Sequence, residues 1–255
     1  MSPISLREPV SAWTHALGLF AAFPVTWLLV REAVRGRSAG DDFDGGKVAA
    51  LGVFGFGMAA CYGASTVYHA LPADAATIAL LRRLDMVGIF LLIAGTFTPC
   101  AWTLMRPRPR RTAMAVVWGV SLVCGSAVGL GRSFPTWLAT LVYVSLGWGM
   151  LACYLEVRRH HDPRRLRLLP AGGVVYTAGA AVNLFHFPEF LPGVGPHEVF
   201  HVLVLAGTAT HVAFLSRVVA PAMSPSAPAQ PLHVESAVRA TRLPRLRRKV
   251  ARRAG

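Results

Sequence analysis

Seven continuous apolar stretches recur along this chain, near 12–31, 48–69, 84–105, 112–130, 136–156, 168–187 and 198–219. Each is close to the roughly 20 residues that a helix needs to cross a bilayer. Runs such as AWTHALGLFAAFPVTWLLV and LVYVSLGWGMLACYL do not alternate with polar residues. That selects helices over a closed strand barrel, the other structure that satisfies its backbone in lipid. The sequence therefore predicts an all-α integral membrane protein, a seven-transmembrane helix bundle. A chain that is 54% hydrophobic and only 15% charged also excludes an ordinary soluble enzyme and a mostly disordered protein. The first run lacks a basic leader and a clear small-x-small cleavage site, so it is read as a retained helix rather than a secretory signal.

An odd number of spans puts the termini on opposite faces, and charge then orients the bundle. The formal charge of +14 comes from 26 Lys and Arg against 12 Asp and Glu. The excess lies between the apolar runs and in the tail, a placement that points to lipid rather than nucleic acid. The N-terminal side carries Arg7, Arg82, Arg83 and Arg132; every other Arg and Lys falls on the opposite side, including Arg106, Arg108, Arg110, Arg111 and Arg158. The positive-inside rule places the C-terminus in the cytoplasm and the N-terminus outside a plasma membrane. Residues 1–220 form the expected membrane domain. Residues 221–255, PAMSPSAPAQP and later TRLPRLRRKVARRAG, read as a disordered Pro/Ala-rich and then basic tail. That tail either attracts anionic lipid headgroups, at about 1 kcal/mol per basic residue, or acts only as a topology signal. Cys61, Cys100, Cys124 and Cys153 sit singly in apolar runs and suit packing rather than a disulfide or metal framework.

Ionisable residues inside spans are costly and so mark candidate sites. Followed up and down the bundle, Glu8 and His15 enter the first span, Ser65 and His69 end the second, and Asp85 opens the third. Asn183 and His186 end the sixth, and His197 and His201 open the seventh. All fall at one end, although they are far apart in sequence. His197 and His201 are four apart, so their side chains stack on one helix face about 5–6 Å apart, within reach of one metal ion. His69 can supply a third imidazole and leave a fourth tetrahedral position for water, which is a catalytic arrangement. HEVFH also matches H-E-x-x-H, the zincin protease signature, but the extended form needs a further His where Gly207 stands. Glu198 is better placed against headgroups or a neighbouring helix, and His211, deeper in the span, reads as a packing residue. Asp85 has two readings: a proton acceptor, or a structural group that pairs with Arg82 or Arg83 or caps the third helix.

Ser65–Thr66–Val67–Tyr68–His69, Asp85 within RLDMVGIFLLIAGTFTP, and HEVFHVLVLAGTATH together resemble the hemolysin III family, related to the progestin and adipoQ (adiponectin) receptors. The resemblance covers all seven spans, about residues 8–219. It implies zinc at His69, His197 and His201, with Ser65 and Asp85 beside the metal. EPVSAWTH, from Glu8 to His15, is similar to the family's opening E-x-x-N-x-x-T-H, with Ser11 where Asn is usual. The receptor branch resembles ceramidases, so the expected activity is zinc-dependent hydrolysis of a lipid amide or ester, with Asp85 and Ser65 as catalytic residues. Two other functions are kept: a pore-forming, cytolytic protein, which the family's name implies, and a receptor or membrane-stress regulator whose zinc is structural. A retinal protein is set aside because Lys47 and Lys249, the only lysines, lie outside the spans. A rhomboid-type protease is set aside because Ser65 stands in GAST, not in a G-x-S-G turn.

Overall fold

Helix starts are written in short polar side chains and prolines, and the apolar runs between them become long helices. The computed structural model describes residues 6–35, 43–158, 162–187 and 194–222. Seven long helical segments follow: α1 (Pro9–Arg35), α2 (Gly45–Ala70), α3 (Ala75–Leu104), α4 (Pro107–Gly129), α5 (Thr136–Val157), α6 (Pro163–Phe185) and α7 (Pro196–Val219). All but α3 have the length and composition to cross a membrane. The predicted third span lies within α3, a 30-residue helix that is polar at Arg82, Arg83 and Asp85 and largely buried from Gly88 to Leu104.

Asp44 starts α2 by accepting from the Lys47 backbone at 2.9 Å, and Asp74 starts α3 by accepting from Ala76 and Thr77. The Thr77 hydroxyl also binds Asp74, and these bonds hold its carboxyl below the usual carboxylate range. Helices α4, α6 and α7 begin with Pro at the first helical position, where a missing N–H costs nothing. With α3 capped at Asp74, Asp85 lies almost three turns inside the helix and does not cap it, contrary to one of its two sequence readings. Helix α5 is interrupted at Gly149, between Thr136–Trp148 and Met150–Val157.

Packing is closest where side chains are smallest. Helices α2 and α3 run against each other along much of their length, as do α1 and α2, and α6 and α7. A Cβ on Gly57 would stand 2.7 Å from the Leu91 carbonyl oxygen, and one on Gly88 would stand 2.7 Å from Cys61 Cα. Both positions therefore need glycine for backbone to meet backbone. Leu51, Phe54, Met58, Phe97, Phe214 and Leu215 fill the core around this seam. On the outer face of α1, Trp13, Leu17, Phe20, Phe23 and Trp27 are 59% to 68% exposed, an apolar stripe that suits contact with acyl chains.

Lys47 lies just before the predicted second span, yet it is not a free loop cation. It sits in the first turn of α2, 7% exposed, and its Nζ donates to the carbonyls of Ala220 and Ala222 at 3.0 and 2.9 Å. These carbonyls follow a final π turn, Leu215–Val219, and face a cation as a helix C-terminus favours. The expected tail lies, beyond residue 222, outside the described residues.

Candidate metal centre

Three segments distant in sequence meet at one end of the bundle. The stretch before α1 pairs with the end of α2: the Arg7 and Glu8 backbone N–H groups donate to Ala70 and His69 carbonyls at 3.3 and 3.0 Å. That pairing brings the Glu8 carboxylate onto Nδ1 of His69, in the last turn of α2. Arg7 holds the other Glu8 oxygen at 3.2 Å and lies over the Tyr68 ring. From α7, His197 donates through Nδ1 to Asn183 Oδ1, near the end of α6, at 3.0 Å. With Nδ1 of His69 and His197 facing oxygen, each presents an Nε2 lone pair inward.

The three predicted imidazoles converge. His69, His197 and His201 each offer a ring nitrogen, and these atoms all lie within 4.8 Å of one another. Nε2 of His197 stands 3.4 Å from Nε2 of His69 and 3.2 Å from Nε2 of His201. Tetrahedral zinc with bonds near 2.0–2.1 Å separates its nitrogen ligands by about 3.3 Å. The donor set therefore fits such an ion in element, in the spacing of His197 to each of the other two rings, and in the tautomers of His69 and His197.

Glu198 is otherwise engaged, which removes the zincin reading on geometric grounds. Its Oε2 accepts from the Gly195 N–H at 3.0 Å at the start of α7, and its Oε1 accepts from Ser11 Oγ at 3.2 Å. This is the contact with a neighbouring helix foreseen for Glu198, and it also shows what Ser11 does. The His15 ring stacks on His201 at 3.8 Å with an angle of 8°, and neither His15 nitrogen has a hydrogen-bond partner among the described residues. It supports the His201 ring through its face, a role that residue spacing did not announce. His211 is buried as expected, with Nε2 at 3.1 Å from the Leu169 carbonyl.

The imidazoles open onto a cavity of about 810 Å³ that descends between the helices. Glu8, Ser65 and Asp85 line it with the histidines, and its walls then turn mainly apolar past Phe97 and Tyr143 toward Trp148. Ser65 Oγ is fully buried and faces the Asp85 carboxylate at the edge of hydrogen-bond range. No ion pair within 4 Å joins Asp85 to Arg82 or Arg83 among the described residues, so the second structural reading of Asp85 is not met either. Below the metal ligands, the Tyr62 and Tyr176 hydroxyls share Thr208 Oγ1 at 2.5 and 2.6 Å, a polar knot across α2, α6 and α7 that sequence analysis did not single out.

Residues 5–212 match the family described as Haemolysin-III related. The chain belongs to that family. Among relatives of the haemolysin-III-related chain, Hemolysin-3 of Bacillus cereus is 29% identical over 82% of this chain and 90% of its own length. The Hemolysin-3 homolog of Bacillus subtilis (strain 168) is 28% identical over 80% and 90%. The Heptahelical transmembrane protein ADIPOR2 of Oryza sativa subsp. japonica is 30% identical over 62% and 77%. Family and apolar helices together identify a multi-pass membrane protein.

Proposed function

We propose that this haemolysin-III-related protein is a zinc-dependent hydrolase of lipid amide or ester bonds. The carrying observation is the convergence of three Nε2 atoms on the wall of a deep, mainly apolar cavity. His69, His197 and His201 would hold a zinc ion, and the chemistry it would supply there is Lewis acidity toward a carbonyl and toward water. Glu8 and Asn183 fix two of the rings, and His15 supports the third. Asp85 takes the proton from the attacking water and returns it to the leaving amine or alcohol. Ser65 orients that water or the scissile carbonyl from its place beside Asp85. The acyl chain lies in the cavity and excludes bulk water from the reacting end.

The same reading takes α3 as a seventh crossing, since the stretch from Met86 to Leu104 carries no charge and the rice relative is named heptahelical. The charge bias supports a plasma-membrane protein with the centre at the extracytoplasmic end and the basic tail in the cytoplasm. Purified protein is expected to hold about one zinc per chain and to cleave a ceramide-like amide, with both properties lost in His201→Ala. Bound zinc without turnover leaves a structural staple and overturns the hydrolase. Metal-independent leakage of liposomes without cleavage favours a pore instead.

A further inference from the structure

The end of the bundle that holds the histidines is poor in positive charge: by position along the chain it carries Arg7, Arg82, Arg83 and Arg132. Arg7 is engaged with Glu8 and Tyr68. The other three all line the mouth of the cavity, together with Ser133 and Thr136. They come from two places, α3 and the turn between α4 and α5. Gly131, with φ +89°, shapes that turn, and a Cβ there would stand 3.2 Å from Nη1 of Arg83. Arg83 thus packs against the turn whose next residue is Arg132.

None of the three has a carboxylate within 4 Å among the described residues. The acidic groups that share the mouth are Glu8, already bound to His69 and Arg7, Glu198, bound to Gly195 and Ser11, and Asp85. Arg82 and Arg132 are exposed and Arg83 is half-buried, and among the described residues Asp85 is the one carboxylate beside them that is not already bound to another group, so an anion that enters the cavity meets a net positive rim. Guanidinium forks favour phosphate, which they bind in bidentate fashion. The positive-inside bias does not account for them, because they line the cavity at the charge-poor end. The wall below them is apolar and takes a chain.

We propose that Arg82, Arg83 and Arg132 form a phosphate-binding collar, and that the cavity takes a lipid whose headgroup carries a phosphate beside the histidine centre. The assignment deepens the lipid-hydrolase reading and rests on it in taking a lipid as the occupant. It predicts that phosphorylated lipid amides or esters, rather than neutral ones, are the preferred class.

The test uses full-length, zinc-loaded protein in nanodiscs and compares binding of oleoyl lysophosphatidate with monooleoylglycerol, which has the same chain and no phosphate. The phosphate lipid is expected to bind at least about tenfold tighter, a difference that shrinks with added salt. The triple variant R82Q/R83Q/R132Q should bring the two lipids within about twofold while keeping its melting temperature and its affinity for monooleoylglycerol. Arg108→Gln with Arg111→Gln, at the opposite end, should change neither. Equal binding of the two lipids, or a preference that survives the triple substitution, overturns the collar. Inorganic phosphate that binds as tightly as the lipid overturns the lipid occupant in favour of the free anion. Phosphate preference without turnover upholds the collar and removes the hydrolase; equal cleavage of neutral and phosphorylated amides does the reverse.

Discussion

At the scale of single residues, the histidines differ in how they are held. His69 leans on a carboxylate, His197 on an amide oxygen, and His201 on the face of another imidazole. Outer partners of metal-bound histidines are worth about 10–100-fold in affinity. Glu8→Gln is therefore expected to weaken zinc binding by about that factor without abolishing it, as read by competition with a chelator of known affinity. A full loss would make Glu8 a ligand, and no change would make the contact incidental. The convergence of the three imidazoles was legible from the sequence because a spacing of four places two on one helix face and a third lies at the matching depth. Glu8 and His15 were placed at this end by depth and by the opening motif, but their contacts were not legible, nor was the Tyr62–Thr208–Tyr176 knot, since stacking and hydroxyl sharing depend on the rotation of neighbouring helices, which hydropathy leaves free.

At the scale of helices, the seam between α2 and α3 carries His69 and Asp85 on its two sides, so its spacing sets the distance between the proposed metal ligand and the proposed proton acceptor. Gly57→Leu should force α2 and α3 apart and destabilise the fold by about 1–3 kcal/mol, the usual cost of overpacking. Gly52→Ala, where nothing lies within 4 Å of the new Cβ, should be neutral or stabilising. Thermal melts of the two variants in detergent compare them directly, and equal melting temperatures would show that the seam tolerates a side chain. Six crossings were legible from apolar length alone. The start of α3 was not, because Asp74 caps the helix well before the apolar run begins and the turns in between are amphiphilic. The partners of Lys47 were not legible either: they are backbone carbonyls at the far end of the described chain, which leave no trace in side-chain chemistry.

For the whole molecule, the uneven distribution of arginine predicts one orientation. A fluorescent reporter that folds only in the cytoplasm, fused after Gly255, should be bright, and an alkaline phosphatase at the same place should be inactive. The opposite result would put the histidine end in the cytoplasm and reverse the sidedness of any substrate. The ligand set is also divided between the second and the last of the long helices. No chain interrupted during synthesis before Pro196 contains it, and no single half of the protein does. On the proposed assignment, retention of zinc requires that synthesis has passed His201 and that the last long helix has packed against the second.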